Sequence, residues 1–337
     1  MRSRLLSAYS KSRAEGVFSL LKYIVKRVLK AIPMLLAVSV IIYALLQAMP
    51  GDPLDMYLEN PSATPEAIEA IKESYGLNKP VHIQYLNWLK GIVTGDWGRS
   101  FMSRRPVLEL ILEKLGPTLQ LSGTAFLIAL LIAVPLGITG AIRKGKLFDN
   151  VTSTATFLGI SMPSFWFGMM LQLLFAVQLK WLPTAGRTSL VGENAGTPGD
   201  IALHLIMPAV VLSLIYIASW ARYARSNFIE VMNQDYIRTA RAKGLKERTI
   251  LMLHAMRNAL IPLVTVVMLD IPAIFSGAVV TETVFAWPGM GSFFNDALSK
   301  QDFPLLMGIL MINAILVILS NLIADILYAV LDPRIKY

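Results

Sequence analysis

Residues Asp235–Pro262 read DYIRTARAKGLKERTILMLHAMRNALIP, a polar and basic stretch between two apolar segments that are each long enough to cross a bilayer. Asp235 is a candidate N-cap, because its carboxylate can accept from free backbone N–H groups of a first helical turn. Gly244 suits the position after a helix, where glycine adopts the left-handed conformation at little cost. Pro262 suits the first turn of the next helix. The stretch therefore predicts a short helix, a glycine break, a second short helix and re-entry into the membrane.

The composition indicates a membrane protein. Of 337 residues, 55% are hydrophobic and 16% are charged, and the mean hydropathy is +0.57, whereas soluble domains carry about a quarter charged residues. The apolar residues are gathered into long runs, which is typical of membrane spans. Cysteine is absent, so disulfides, thiolate nucleophiles and cysteine-based metal sites are excluded.

Six apolar runs are long enough to span a bilayer, and the sequence predicts an all-α, polytopic membrane protein with six transmembrane helices. The expected order is a cytoplasmic basic segment at 1–30, a first span at 31–49, an extracytoplasmic insert at 50–114 and a five-helix core at 115–337. The insert is expected to hold amphipathic helices at 65–75 and 83–92. The later spans are expected at 115–142, 150–179, 201–221, 258–281 and 303–331, with a cytoplasmic loop at 222–257.

The distribution of lysine and arginine predicts the orientation. With the N-terminus in the cytoplasm, the inside segments hold 21 of the 31 basic residues, although the outside segments are longer in sum. We therefore expect both termini and the loop at 222–257 to be cytoplasmic. Residues 1–20 are predicted either as a short helix on the anionic leaflet or as a disordered tail.

The chain offers no arrangement of residues for catalysis. Hydrolysis needs a nucleophile beside a base and a metal site needs convergent ligands, yet the three histidines, His82, His204 and His254, are far apart. A Walker A motif is absent from the sequence, which excludes ATP binding by that route. The basic loop is poor in the aromatic residues that stack on bases and lies against the membrane, so nucleic acid is not an expected partner. We expect no enzymatic activity and no catalytic, cofactor or metal site in this chain.

Asp270 is predicted near the middle of the fifth span. A carboxylate at this depth is costly unless it faces the bundle interior or a wet cavity. Pro272 interrupts the helix just after it, and Gly277 permits close approach of a neighbour. Two interpretations are equally supported, a role in a translocation path and a hydrogen bond that only serves packing.

Glu282 closes the fifth span and begins the loop ETVFAWPGMG. Phe285 and Trp287 lie in this loop, and Trp287 precedes a Pro-Gly turn where an interfacial aromatic residue is typical. The loop predicts either a gate or docking surface at the outer mouth or simply an anchored turn.

Three groups of motifs resemble the permease subunits of binding-protein-dependent ABC importers, in particular the oligopeptide/dipeptide/nickel class. YIRTARAKGL at 236–245, with RNALIP at 257–262, is similar to the cytoplasmic "EAA" loop, although Arg238, Thr239 and Ala240 occupy its lead positions. Ser276-Gly277, ETVF at 282–285 and PGMG at 288–291 form the second and most specific group. The third, GDP at 51–53, GLNKP at 76–80 and GDWGRS at 95–100, resembles the first of the two permease subunits.

This resemblance implies the type I ABC importer permease fold and the translocation of peptides across the cytoplasmic membrane. The implied partners are a second, different permease, two ATPase subunits that hold ATP and Mg, an extracytoplasmic solute-binding protein and membrane lipid. The implied coupling loop, which enters a cleft of the ATPase, consists of Asp235, Tyr236, Arg238, Thr239, Ala240, Arg241, Ala242, Lys243, Gly244 and Leu245. The candidates for the path or gate are Asp270, Pro272, Gly277, Glu282, Phe285 and Trp287.

Other functional classes stay open at the level of the residues. A stand-alone secondary transporter would couple transport to an ion, for which Asp270 is the candidate, and a scaffold protein would transport nothing. Neither class requires the EAA-like loop. Within the importer class, nickel complexes or other solutes are alternatives to peptides.

Overall fold

The computed structural model is built of α-helices joined by turns and loops. It describes the backbone of residues 2–49, 64, 66, 69, 72–73 and 76–331, and the side chains of these residues except 2–21, 23 and 327–331. Within these ranges there is no β-strand, and a single bridge pairs Arg99 with Pro106. The helix predicted at 65–75 lies largely outside the described residues.

The helices follow one another along the chain in this order: α1 Arg2–Gln47, α2 Val81–Thr94, α3 Val107–Ile142, α4 Leu147–Ser161, α5 Ser164–Leu171, α6 Pro198–Met232, α7 Asp235–Ala242, α8 Glu247–Thr249, α9 Met256–Asp270, α10 Ala273–Ser276, α11 Val279–Val284, α12 Met290–Ser299 and α13 Phe303–Leu331. A π-helical stretch, Gln172–Gln178, continues α5. A second one, Ile250–Ala255, joins α8 to α9. The helix predicted at 83–92 is therefore present as α2.

Among the described residues, five helical segments are long and apolar enough to cross a membrane, namely Ile24–Gln47, Val107–Ile142, Pro198–Met232, Glu247–Ser276 and Phe303–Ile326. The pair Leu147–Ser161 and Ser164–Gln178 makes a sixth span if it is counted as one. The prediction of an all-α, polytopic membrane protein is therefore confirmed.

Several boundaries differ from the prediction. One helix, α1, runs through both the basic segment 1–30 and the first span 31–49, because lysine and arginine are good helix formers and do not end a helix. Likewise α3 begins at Val107, within the predicted insert. The fifth span begins at Glu247 rather than at 258, so Pro262 lies inside α9 and not in a first turn.

The predicted span 150–179 is broken rather than straight. Met162 is extended, with φ −80° and ψ 131°, and Pro163 follows with φ −59° and ψ 128°. Proline has no N–H to donate and disfavours the helical conformation of the residue before it. The two halves of the span are consequently bent by 103°.

The chain forms two compact units, of which the first comprises the residues up to 115 together with 293–319. Its fully buried side chains include Ile111 and Leu306. Asp302, at the start of α13, is buried and accepts hydrogen bonds from Ser100 Oγ at 2.5 Å and from the Phe101 N–H at 3.1 Å. This carboxylate therefore fixes the loop before α3 to the beginning of α13.

The second unit comprises 116–292 and 320–331, and it holds the candidate functional residues. In its core, the rings of Phe126 on α3 and Trp220 on α6 meet edge to face with centroids 4.7 Å apart. A methyl group at Gly137 would lie 2.6 Å from Ala224 Cβ, so glycine is what allows α3 and α6 to cross this closely.

Candidate functional site

The polar helix α7 is held to the unit by its apolar side. Ile237 and Ala240, three residues apart and so on one face of the helix, are buried. They join a cluster with Phe228 of α6 and Ile250 of the π-helical stretch. Helix α7 is therefore packed on the ends of two spans, and sequence analysis had not singled out Ile237, although its spacing from Ala240 was readable.

The end of α7 is a Schellman motif. Gly244 has a φ of +74°. The Gly244 N–H donates to the Arg241 carbonyl at 2.9 Å, and the Leu245 N–H donates to the Ala240 carbonyl at 3.4 Å. The left-handed conformation predicted for Gly244 is confirmed.

The beginning of α7 differs from the prediction. The N-cap residue is Gln234, with extended backbone, and no side chain caps the helix. Asp235 is instead the first helical residue. Its carboxylate is still favourably placed, because the N-terminal turn carries partial positive charge.

An ion pair crosses the glycine break. The Arg241 guanidinium donates to the two carboxylate oxygens of Glu247, with Nη2–Oε1 at 2.8 Å and Nε–Oε2 at 3.4 Å. The hydrogen bond from Arg241 to Glu247 raises the pKa of the guanidinium above its usual range. Arg241 thus connects α7 to α8 directly, in addition to the backbone.

The opposite side of α7 is exposed. Arg238 has a side chain that is 73% exposed, and it makes only a long contact, 3.5 Å, to Asp235. Tyr236 on α7 and Leu245, just after the Gly244 turn, add exposed apolar surface. Of the residues predicted for the coupling loop, Ala240 alone is buried, and the exposed ones are Asp235, Tyr236, Arg238, Thr239, Arg241, Ala242, Lys243, Gly244 and Leu245.

Asp270 is the last residue of α9 and lies towards the C-terminal end of the fifth span, not at its middle. The indole Nε1–H of Trp220 donates to Asp270 Oδ2 at 2.8 Å. Trp220 is fully buried, so its N–H needs this acceptor. The contact supports the packing interpretation of Asp270. Pro272 lies at the break between α9 and α10.

Glu282 is fully buried and accepts hydrogen bonds from three separate parts of the unit. Its Oε1 accepts from Thr118 Oγ1 at 3.1 Å and from the Ala278 N–H at 3.3 Å, and its Oε2 accepts from the Ser292 N–H at 2.9 Å. Thr118 also accepts from the Met290 N–H at 2.7 Å. The carboxylate therefore ties α3, the turn before α11 and the start of α12 together.

Three glycines surround this carboxyl group. A methyl group at Gly289 would overlap the carboxyl of Glu282, and one at Gly291 would lie 3.0 Å from its Oε2. Gly277, at φ +79°, approaches Gly291 so closely that a methyl group would lie 2.7 Å from the Gly291 nitrogen. We call Glu282 with these three residues the glycine cage.

The two aromatic residues of the loop are also buried. The Trp287 indole donates to the Pro117 carbonyl at 2.9 Å, and the ring packs on Leu121 and Ala209. Phe285 packs on Met207 and Val211 of α6. In this conformation the side chains of Glu282, Phe285 and Trp287 are buried and hold the loop. Their role in gating stays a prediction.

Sequence analysis also missed the buried carboxylate of Asp149. Asp149, in the first turn of α4, accepts from Arg225 of α6 through Nε–Oδ1 at 2.6 Å and Nη2–Oδ2 at 2.8 Å. The partners are 76 positions apart in the sequence. An aspartate at a predicted span boundary next to a basic loop was the only available signal. Within the described residues no cluster of histidine and acidic side chains could hold a metal ion.

The sequence matches two protein families that together cover most of the chain. Residues 133–337 match the family described as "Binding-protein-dependent transport system inner membrane component". Residues 20–122 match the N-terminal component of the same kind of transport system. The chain belongs to this family. The predicted resemblance to ABC importer permeases is confirmed, and the alternative of a stand-alone secondary transporter is not supported.

Curated relatives align with this permease over nearly their full length. The chain is 43% identical to the oligopeptide transport system permease protein AppB of Bacillus subtilis over 316 residues, which are 94% of this chain and 99% of the relative. It is 36% identical to the dipeptide transport system permease protein DppB of Escherichia coli K12 over 338 residues, again 94% and 99%. It is also 36% identical to the glutathione transport system permease protein GsiC of Salmonella choleraesuis, covering 94% and 100%.

A solved structure supports the predicted fold. A chain of the MetNI methionine ABC transporter in an inward-facing conformation superimposes with a TM-score of 0.52 at 15% identity. The match covers 67% of this permease and 97% of that chain. The prediction of the type I ABC importer permease fold is confirmed.

Proposed function

We propose that this permease translocates di- and oligopeptides across the cytoplasmic membrane, with ATP hydrolysed in partner ATPase subunits. The names of the relatives AppB and DppB support peptides as the substrate class. The proposed partners are a second, different permease, two ATPases that hold ATP and Mg, and an extracytoplasmic solute-binding protein. The chain itself is proposed to bind no cofactor and to catalyse no reaction.

The observation that carries the proposal is the attachment of α7. Its buried side is packed on α6 and on the helix that leads into α9, while its other side presents exposed basic and apolar residues. A surface of this kind suits a cleft in a cytoplasmic ATPase. The proposed coupling surface consists of Tyr236, Arg238, Thr239, Arg241, Lys243 and Leu245.

The proposed mechanism is alternating access. When ATP closes the two ATPases, they carry α7 with them, and α7 moves α6 and α9 because its buried face and the Arg241–Glu247 pair connect it to both. The spans then reorient, and the solute passes between the two permeases. A flexible loop would absorb this displacement instead of passing it on.

The proposed orientation follows from the charge distribution, with both termini and α7 in the cytoplasm. The loop between α5 and α6, residues 179–197, is then extracytoplasmic. The protein is proposed to reside in the cytoplasmic membrane.

The function is tested by purifying the tagged permease in mild detergent and identifying the proteins that accompany it by mass spectrometry. We expect a second six-span permease and ATPases with Walker motifs. Leu245→Asp, at an exposed residue just after the Gly244 turn that ends α7, is expected to lose the ATPases and to retain the second permease. Leu190→Asp, at a residue that is 98% exposed in the loop between α5 and α6, serves as the control.

Recovery of the permease without ATPases, together with ATP-independent solute uptake into liposomes, would overturn the proposal. Equal loss of the ATPases in both variants would show that α7 is not their docking site. Substrate class is tested separately by competition of unlabelled dipeptides against labelled peptide uptake.

A further inference from the structure

A cavity of about 260 Å³ opens between α3, α4 and α6, within the second unit. One end lies about three turns into α4 and is apolar, with Phe157 and Ile160. The other end lies towards the first turns of α4 and contains Thr152, Arg222 and Arg225. The cavity is thus amphipathic along the direction of the span.

The two arginines differ in their partners. Arg225 is fully engaged with both oxygens of Asp149. Arg222, three residues earlier on α6, is exposed and has neither an ion pair nor a hydrogen bond from its side chain among the residues that the structure describes. Within the part of the chain that the structure describes, it is the unpaired cation of the cavity.

The depth of Arg222 can be estimated from its neighbour. Arg225 pairs with Asp149 in the first turn of α4, so Arg222 lies about 4.5 Å further into the span at a rise of 1.5 Å per residue. A guanidinium at this depth is costly unless it finds an anion or extends to the headgroup layer. Basic pockets between transmembrane helices on the cytoplasmic side are typical binding sites of anionic lipid headgroups.

We propose that this cavity binds an anionic phospholipid of the cytoplasmic leaflet. Its phosphate pairs with Arg222, and one acyl chain lies against Phe157 and Ile160. A lipid fits because charge and apolar surface occupy opposite ends, whereas a small anion would use only the arginine. The site goes beyond peptide transport, and it uses only the orientation proposed above.

The test is native mass spectrometry of the purified permease complex, titrated with phosphatidylglycerol or phosphatidylcholine in detergent. We expect the wild type to retain one phosphatidylglycerol in preference to phosphatidylcholine. Arg222→Gln is expected to weaken phosphatidylglycerol retention by about fivefold, the effect of one basic residue near an anionic headgroup. Lys144→Gln removes an equal charge from an exposed loop residue outside the cavity and is expected to leave retention unchanged.

A second variant keeps the proposal testable if Arg222→Gln fails to fold. Thr156→Phe fills the cavity without changing its charge, and it is expected to reduce retention as well. Equal retention by the wild type and both variants would overturn the proposal. Equal competition by glycerol phosphate, which lacks acyl chains, would reduce the site to one for small anions. Displacement of the lipid by a dipeptide at transport concentrations would assign Arg222 to the peptide path instead.

Discussion

Gly244 occupies a backbone conformation that other residues avoid, and a Cβ there would meet no residue outside its own turn among those that the structure describes. We expect Gly244→Val to cost about 1–2 kcal/mol locally by disfavouring the left-handed turn. The turn orients α7, so ATP hydrolysis by the complex should continue while peptide uptake per ATP falls. The ratio of uptake to ATP hydrolysis in proteoliposomes measures this effect.

Gly145 provides a matched control for that substitution. It has a φ of +76°, has open space around it and lies in the loop between α3 and α4. Gly145→Val introduces the same backbone strain away from α7 and should leave the ratio unchanged. Normal coupling in Gly244→Val would contradict the proposed role of the turn.

Glu282 is expected to be more important for folding than for contact with solute. Glu282→Gln replaces one oxygen by an NH2 group, which then faces a donor from Ser292, Ala278 or Thr118. Leaving a buried donor unpaired costs about 1–3 kcal/mol, so the thermal unfolding midpoint should fall. Glu193→Gln, in an exposed loop, is the control, and an unchanged midpoint for Glu282→Gln would show that the carboxylate is dispensable.

The two interpretations of Asp270 can be separated through its partner. If Asp270 mainly accepts from Trp220, then Asp270→Ala and Trp220→Phe should each lower stability, and the double variant should lose less than their sum. A hydrogen bond to a charged group is worth about 1.5–3 kcal/mol. Asp270→Asn keeps an acceptor and should transport normally. Loss of transport in a stable Asp270→Asn protein would favour the translocation path.

At the scale of the element, α7 is expected to move as a rigid body. Its buried face packs on the spans, and the Arg241–Glu247 pair joins it to α8 across Gly244. An exposed ion pair adds little to the free energy of unfolding. The Arg241–Glu247 pair is therefore expected to set the orientation of α7 relative to α8 rather than to stabilise the fold. Arg241→Glu and Glu247→Arg should each reduce uptake per ATP with little change in the unfolding midpoint. The double exchange should restore part of the coupling.

The exchange experiment also identifies a competing role. If Arg241 binds the ATPase directly, the double variant should be as impaired as Arg241→Glu alone. Arg238→Glu, on the exposed side without a partner across the break, gives the size of a pure charge effect.

At the scale of the whole molecule, the absence of cysteine makes orientation directly measurable, because no native thiol has to be removed. Leu190→Cys is expected to react with a membrane-impermeant maleimide from outside the cell. Lys144→Cys and Arg248→Cys are expected to react only after permeabilisation. The opposite pattern would reverse the proposed topology, and reaction of all three before permeabilisation would indicate damaged membranes.

The sequence predicted the features that depend on neighbouring residues and not those that depend on distant ones. Hydropathy was sufficient for α13, whose range Phe303–Leu331 coincides with the predicted last span. The preference of glycine for the position after a helix was sufficient to predict the left-handed conformation of Gly244. By contrast, Glu282 and Thr118 are separated by 164 positions, and Asp302 and Ser100 by 202. Burial of these carboxylates depends on which helices meet, and a single sequence contains no direct record of that.

The broken span shows a different limit. Pro163 was visible in the sequence, but an apolar run does not state whether a proline kinks a helix or separates two of them. In the structure, the extended backbone at Met162 separates α4 from α5. The burial of Glu282, Phe285 and Trp287 was likewise not readable from the sequence, and their role in a path or gate stays a prediction.

The glycine cage also restricts how this protein can change over generations. Glu282 fills the space that a side chain at Gly289 would need, the Val279 backbone and Glu282 fill the space at Gly291, and Gly277 leaves room for the backbone at Gly291. A substitution at one of the four positions is not accompanied by a compensating change at the other three. Single substitutions in the glycine cage are therefore expected to destabilise the protein. The four residues should therefore vary together or not at all, and a random-mutagenesis library selected for peptide uptake should contain fewer survivors at these positions than at the neighbouring Thr283.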